Sequence, residues 1–139
     1  MASKTLDSTE TKSRIYRMLE KNPCISFATF GETYPDVRTL MVIDKENIHS
    51  IWFAVGIESN KVAQLRKNPN AAIYGCDIES MTEFRLFGKV ELLSDSTSRQ
   101  KVWHNAKEYF PEGIESMIVL RFDTDHGTYV SFDKESGTF

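Results

Sequence analysis

The first apolar residues of the chain recur at intervals of three and four positions, the spacing of one face of a helix. Asp7, with Glu10 three positions later, is typical of a capped helix start, because the two side chains can bind free backbone N–H groups there. The apolar spacing ends at Asn22-Pro23. The sequence therefore predicts a first helix that starts after Asp7 and packs one face on a core.

From residue 24 onwards apolar positions alternate with polar ones, which is the period of a strand. The first three such segments are separated by short turns and predict an antiparallel meander. Gly88 interrupts the longest segment and is expected to mark a bulge or bend. The strands are predicted at 24–30, 37–43, 48–55, 71–78 and 82–93, with turns at 31–35 and 44–47, and with a final hairpin of 116–123 and 128–132 around Asp125-His126-Gly127.

Two further helices are predicted between the strands. Ser59 can cap the segment NKVAQLRK, which Pro69 ends. Asp95 can cap a third helix, whose apolar face is expected to continue as far as Phe110.

The fold class follows from this order of elements. About six or seven antiparallel strands with two or three flanking helices predict a mainly β, α+β fold, a split β-barrel. We expect a single domain over residues 1–139, with flexible ends at 1–7 and 134–139.

Composition and charge narrow the function classes. The 139 residues are 40% hydrophobic and 27% charged, an ordinary soluble mixture. The formal charge of −3 argues against a general nucleic-acid binder, which needs an excess of basic residues. The sequence contains no apolar run long enough to cross a bilayer, and its N-terminus lacks the apolar core of a signal peptide. We therefore expect a cytoplasmic protein without nucleic-acid or membrane partners.

Most motifs that carry chemistry are absent from the sequence. His49, His104 and His126 stand far apart, with no Cys or carboxylate at metal-ligand spacing, so no metal site is predicted. Cys24 and Cys76 are too few for a disulfide framework and are expected to be small buried hydrophobes. The sequence pattern singles out no catalytic residue.

One set of residues does indicate a site, and its ligand would be an anion. Arg38 lies in the second predicted strand, while Ser59, Asn60 and Lys61 lie at the start of the second helix. A helix start offers free N–H groups and a positive dipole, to which Lys61 and the Ser59 hydroxyl add donors. If the second and third strands pair, Arg38 approaches the same point, and a phosphate dianion suits that pocket. The alternative is a strand arginine in an ion pair beside an ordinary capped helix.

Four segments together carry a family resemblance. They are PDVRTLMVID, IWFAVGIESNKVAQLRKNPNAAI, FRLFGKVELL and VWHNAKEYFPEGIESMIVLRF. Their order resembles the FMN-binding split-barrel superfamily, which includes pyridoxamine 5′-phosphate oxidase, and within it the general stress protein branch. The resemblance covers about residues 10–132, and its most specific part is the Arg-x-Leu strand followed by WFA and Ser-x-Lys.

The resemblance implies that eight residues contact a flavin. Two cations would bind the FMN phosphate with two polar residues beside it, backbone groups of one strand would follow the isoalloxazine, and the next strand would line the phosphate and ribityl side. In that order they are Arg38, Lys61, Ser59 and Asn60, then Thr39 and Leu40, then Phe53 and Ala54. In this superfamily the flavin lies at the interface of a homodimer, and a chain this small needs a partner to enclose a tricyclic ring. FMN is the expected cofactor, with FAD as the alternative.

Several positions depart from the family pattern on the ring side. Glu83 stands where a glutamine is common, Val130 follows Tyr129 where a tryptophan is common, and Val55 replaces a threonine. The chain also lacks the C-terminal Arg-Leu-His-Asp-Arg segment that holds the substrate in pyridoxamine oxidases. True pyridoxamine 5′-phosphate oxidase activity is therefore not expected.

Three functions remain open from the sequence. The first is an FMN-dependent oxidoreductase of the stress response that passes electrons from a reduced nicotinamide to a small acceptor. The second is a non-catalytic protein that stores or senses flavin. The third is a split barrel that binds FAD, a deazaflavin or haem, or that serves as a dimeric interaction module.

Overall fold

Nine strands and three α-helices make up the fold in the computed structural model, which describes residues 4–132 and 134–139. Two short 3₁₀ turns, Lys107–Tyr109 and Ile114–Ser116, follow the third helix. The elements in chain order are β1 (Lys4–Leu6), α1 (Ser8–Lys21), β2 (Cys24–Phe30), β3 (Pro35–Met41), β4 (Asp44–Asn47), β5 (Ser50–Gly56), α2 (Asn60–Lys67), β6 (Asn70–Asp77), β7 (Thr82–Leu93), α3 (Ser96–Ala106), β8 (Met117–Ser131) and β9 (Glu135–Thr138).

The strands form one mixed sheet that does not close on itself. Its order is β1-β9-β8-β7-β6-β2-β3, and β5 joins it by pairing with β8 and β4. Among the described strands, β1 and β9 pair in parallel and the other pairs are antiparallel. The first half of β8 pairs with β5 and the second half with β9, while β7 pairs along the other edge of both halves. The predicted α+β split-barrel fold is confirmed, with nine strands rather than six or seven.

Side chains of β5 alternate between two apolar clusters. Phe53 is fully buried in the larger cluster, where its ring centroid lies 5.4 Å from that of Phe27. The ring of Phe122, from β8, lies 6.3 Å from Phe27 in the same cluster. Trp52 points the other way and packs with Val102 beneath α3. The period-two pattern of β5 therefore supplies both sides of the sheet with core residues.

All three helices start where the sequence predicts, but their caps differ. The Asp7 carboxylate accepts a hydrogen bond from the Glu10 N–H at 2.8 Å, and Asp95 caps α3 in the same way. Ser59 precedes α2, yet its side chain makes no capping hydrogen bond. The third helix ends at Ala106, so Tyr109 is 55% exposed and does not continue the apolar face.

The segment 44–47, predicted as a turn, is instead the strand β4. It pairs with β5 at Asp44↔Trp52 and Lys45↔Ile51. All of its side chains are polar or charged, so it has no apolar period, and a short charged strand is typical of a protected sheet edge. The predicted meander is therefore wrong, because β3 pairs with β2 while β5 pairs with β4 and β8.

The predicted hairpin around Asp125-His126-Gly127 is also wrong, because β8 runs through this segment without turning. Phe87 pairs with His126 and Gly88 pairs with Thr124, so Asp125 is an extra residue accommodated by a bulge. The bulge predicted at Gly88 is confirmed. A side chain at Gly88 would collide with the backbone of Asp123, which explains the glycine.

Strands lie in both end segments, 1–7 and 134–139, which the sequence predicts to be flexible. Residues 4–6 form β1 and residues 135–138 form β9, and the two pair from Lys4↔Glu135 to Leu6↔Gly137. Residues 1–3 lie outside the described residues. Both strands are too short to carry an apolar pattern, and β1 pairs with a strand far along the sequence, whereas β9 also pairs with the neighbouring β8. Only the tertiary contact defines them.

Glu135 fastens β9 to the first helix through Arg14. The two side chains form an ion pair at 2.7 Å, and the hydrogen bond from Arg14 is the main cause that lowers the pKa of Glu135. A carboxyl with a lowered pKa contributes stability above its ordinary pKa, and this is lost as the pH falls through the folded value.

We therefore expect Glu135→Gln to be less stable than the parent protein at neutral pH. The difference should shrink below the ordinary glutamate pKa of about 4.3 and then disappear. Urea unfolding at successively lower pH measures it, with Glu32→Gln in an exposed turn as the control. A difference that persists at low pH would contradict this role of the carboxylate charge.

Candidate functional site

Arg38 and Lys61 meet beside the start of α2. The Arg38 side chain is 20% exposed and Lys61 is half-buried. Burial first, and then the neighbouring Arg38 charge, lower the pKa of Lys61, while Asp36 acts in the opposite direction. The two cations approach each other because α2 packs on β2, the neighbour of β3, and not because β3 pairs with β5.

A network of hydrogen bonds holds the Arg38 guanidinium. Its Nη1 atom donates to Thr29 Oγ1 at 2.8 Å and to the Phe27 carbonyl at 3.3 Å. Its Nη2 atom donates to Gln64 Oε1 at 3.0 Å and lies 3.0 Å from the Asp36 carboxylate. Thr29 Oγ1 in turn donates to Gln64 Oε1 at 2.6 Å, and Gln64 Nε2 donates to Asp36 at 3.1 Å. Two strands and one helix therefore fix the position of a single guanidinium.

The residues before and at the start of α2 offer further donors. The Ser59 hydroxyl oxygen is buried and has no hydrogen-bond partner among the described residues. A buried polar atom without a partner is costly, and a ligand oxygen at this point would remove the cost. Asn60 begins the helix and is exposed. The free N–H groups of the first helical turn face the same end.

Thr39 and Leu40 lie on the last strand of the sheet order. Thr39 is exposed, whereas Leu40 packs against the larger apolar cluster. Because β2 is the only strand among the described residues that pairs with β3, every second residue of β3 points its N–H and C=O groups away from the sheet. These outward groups are available to a ligand that lies along the edge.

Phe53 and Ala54 lie on β5, which does not pair with β3, the strand that carries Arg38, Thr39 and Leu40. The Phe53 side chain is fully buried in the core, so only its backbone is left for a ligand. Ala54 is half-buried against the cluster beneath α3. The β4 pairing ends opposite Trp52, so beyond that residue the known partner of β5 is β8. Backbone contact on the open edge of β5 is compatible with this arrangement.

On the predicted ring side, Glu83 is already engaged by neighbouring side chains. Its carboxylate, beside the Tyr74 hydroxyl, raises the pKa of Tyr74, and it forms an ion pair with Arg85 at 3.8 Å. Val130 is 38% exposed on the same side of the sheet. The three departures from the family pattern do not involve Arg38, Lys61 or Ser59, the positions predicted to lie at the phosphate.

Sequence reasoning missed three members of the site, Thr29, Asp36 and Gln64. Two of them were detectable by spacing. Asp36 is two positions before Arg38 and therefore lies on the same face of β3. Gln64 is three positions after Lys61 and lies on the same face of α2. Thr29 follows only from the pairing of β2 with β3.

The face of the sheet that points away from the core along β3, β2 and β6 carries several large apolar side chains that the described residues leave exposed. We call it the outer face, and both Cys24 and Cys76 lie on it and are exposed. The prediction that the cysteines are buried is wrong, because they occupy the outward positions of their strands. Large exposed residues on the outer face are Phe30, Val37, Met41 and Tyr74.

Two negative findings apply to residues 4–132 and 134–139. Histidine, cysteine and carboxylate side chains there form no group of three that could hold a metal ion. None of the helices in this part of the chain combines the length and apolar character that a membrane-spanning helix requires.

Known structures resemble this fold over most of its length. A protein of Clostridium acetobutylicum related to general stress protein 26 superposes with a TM-score of 0.82 and 25% identity, over 91% of this chain and 92% of that chain. General stress protein 26 of Bacillus anthracis gives 0.72 and 18%, over 86% and 92%. A pyridoxamine 5′-phosphate oxidase-related, FMN-binding protein of Nostoc punctiforme gives 0.65 and 17%, over 86% and 83%.

Sequence comparison agrees with these superpositions. No curated protein matches the chain. The family described as pyridoxamine 5′-phosphate oxidase matches residues 11–131, which confirms the resemblance found in the sequence. The chain therefore belongs to the pyridoxamine 5′-phosphate oxidase family.

Proposed function

We propose that this protein binds FMN and acts as an oxidoreductase on a small acceptor in a stress response. The observation that carries the proposal is the meeting of Arg38, Lys61 and the unpartnered Ser59 hydroxyl at the start of α2. Membership of the family and the FMN-binding relative from Nostoc punctiforme support the choice of cofactor. The similarity to general stress protein 26 relatives supports a role in a stress response.

A phosphate fits the groups present at this site. Burial first, and then the Arg38 charge, lower the pKa of Lys61, and an anion beside the two cations favours the charged form of Lys61. The buried Ser59 hydroxyl can donate to a phosphate oxygen, and the first N–H groups of α2 can do the same. Lys61 supplies a point charge, and Arg38 supplies a second charge held at a fixed place by β2 and α2.

Bound FMN would supply the electron and hydride transfer chemistry. The chain itself positions the cofactor: the α2 start binds the phosphate, and the outward backbone groups in the Thr39-Leu40 segment of β3 orient the ring edge. The proposal assigns no general acid or base to the chain. It places the protein's contribution in binding, orientation and local charge.

We also propose that two copies form the active unit, with the flavin at their interface. The exposed apolar residues of the outer face support this, because patches of this kind mark interaction sites. Val37 is 65% exposed there, next to the strand positions of the site.

We expect Val37→Asp to convert a dimer into a monomer and to weaken FMN binding with it, because a charge would be buried against an apolar partner surface. Analytical ultracentrifugation at several protein concentrations measures the state, and Tyr109→Asp, beyond the end of α3, is the control. A parent protein that is monomeric yet binds flavin tightly would overturn the shared pocket.

The first test of the function is an absorbance spectrum of the purified protein, with mass spectrometry of the molecule that heat releases. Flavin bands and the mass of FMN are the expected result. Release of FAD would still support a phosphate site at the start of α2, with FAD in place of FMN as the cofactor. A colourless protein that takes up no added FMN would overturn the proposal. Turnover with a reduced nicotinamide and an artificial acceptor then separates an oxidoreductase from a protein that only stores flavin.

A further inference from the structure

Asp36 is an anion placed inside a cluster that is otherwise built to bind anions. Its Oδ2 atom lies 3.0 Å from Arg38 Nη2, and Gln64 Nε2 donates to the same oxygen at 3.1 Å. These two contacts, the Gln64 hydrogen bond first, lower the pKa of Asp36. The carboxylate is therefore ionised at neutral pH, and it is held where a ligand oxygen would otherwise meet Arg38.

The donors of Arg38 are largely used within the chain. A guanidinium has five N–H groups. Both terminal nitrogens are engaged, Nη1 by the Phe27 carbonyl and Thr29, and Nη2 by Gln64 and the Asp36 charge. Bidentate binding of a phosphate by these two nitrogens therefore requires that one of their present partners is displaced. Asp36 is 47% exposed and is the only charged one among these four partners, so it is the partner that an incoming anion displaces.

The charge of the cluster leads to the same conclusion. Arg38 and Lys61 contribute two positive charges and Asp36 removes one, which leaves a net charge of about +1 to face a phosphate dianion. Asp36 also acts on Lys61, whose pKa it raises. Its carboxylate therefore neutralises part of the field of both cations.

We infer that Asp36 is a built-in competitor of the ligand phosphate, which weakens and so sets the affinity of the site. The inference rests on the proposed flavin function. Removal of this one charge strengthens binding of a phosphate-bearing flavin and leaves riboflavin, which has no phosphate, unaffected. A residue that only held Arg38 in place would have the opposite effect on FMN.

The test compares Asp36→Asn with the parent protein in titrations with FMN and with riboflavin. We expect FMN to bind about tenfold more tightly to the variant, because one charge at close range in a partly exposed site changes binding by about this factor. Riboflavin affinity should stay within about twofold. Asp36→Ser should change FMN affinity in the same direction, and Glu20→Gln, exposed on α1, should change neither.

The outcomes separate the inference from the function on which it rests. If the parent protein binds FMN and Asp36→Asn binds it equally or more weakly, the inference is wrong and the proposed function stands. An equal gain for FMN and riboflavin also overturns the inference, because the effect then lies away from the phosphate. If neither protein binds FMN, the proposed function and the inference both fail.

Discussion

Arg38→Ala is expected to reduce FMN affinity about 100-fold, with little effect on riboflavin. Truncation removes a partly buried cation and leaves the Asp36 carboxylate facing the phosphate without its partner. Removing one member of a charged pair of this kind costs roughly 2–5 kcal/mol of binding energy. Lys61→Ala should act in the same direction, by about tenfold to 100-fold. Fluorescence titration of the apoprotein with each flavin measures both.

Lys67→Ala is the matched control for these variants. Lys67 is an exposed cation at the opposite end of the same helix, so it tests the effect of lost charge without loss of the site. FMN affinity should change less than twofold there, as expected for a solvated charge. An unchanged FMN affinity in Arg38→Ala, or an equal loss of riboflavin affinity, would show that the FMN phosphate does not bind in this part of the molecule.

Phe27→Ala should cost about 3–5 kcal/mol of the free energy of unfolding, the usual range for a buried phenylalanine. Phe27 is fully buried, and its ring lies edge-on to those of Phe53 and Phe122, so its loss leaves a cavity among three elements of the sheet. Such a loss is a large fraction of the stability of an ordinary domain. Urea unfolding followed by circular dichroism measures it.

Phe30→Ala is the control in the same strand, because Phe30 is 56% exposed on the outer face. Its effect on the isolated chain should be within about 0.5 kcal/mol. If both substitutions cost the same, the burial of Phe27 does not determine the stability of this sheet. If Phe30→Ala is costly only at concentrations where dimers form, the result supports the outer face as the interface.

The sequence predicts those elements whose apolar pattern is long enough to be unambiguous. The three helix starts and the strands β2, β6 and β7 lie within a residue or two of their predicted places. It fails where pairing alone defines the element. β4 has no apolar residue, β1 has three residues and pairs with a strand far along the sequence, and β9 has four residues. Asp125-His126-Gly127 has turn chemistry but is held in a strand by the bulge opposite Gly88.

The candidate site is predicted in part, for a similar reason. Residue types alone indicate the start of α2 and the two cations, so the sequence analysis identifies Arg38 and Lys61 as candidates. The partners that fix Arg38 cannot be found in this way, because Thr29 and Gln64 are ordinary polar residues whose role depends on three elements meeting. The sequence analysis expected Arg38 to approach the start of α2 through a pairing of β3 with β5, which the structure does not contain among its described strands. The packing of α2 on β2 brings the two cations together instead.

The pairing of β1 with β9 has a consequence for the protein during its synthesis. Lys4 pairs with Glu135, so the first described strand finds its partner only after the β9 segment has left the ribosome. The ion pair that joins the first helix to β9 forms equally late, because Arg14 binds the same glutamate. Until then one edge of the growing sheet stays open to other nascent chains. Emergence of the β9 segment, rather than formation of any early hairpin, therefore ends the period in which this edge of the sheet is most exposed to aggregation.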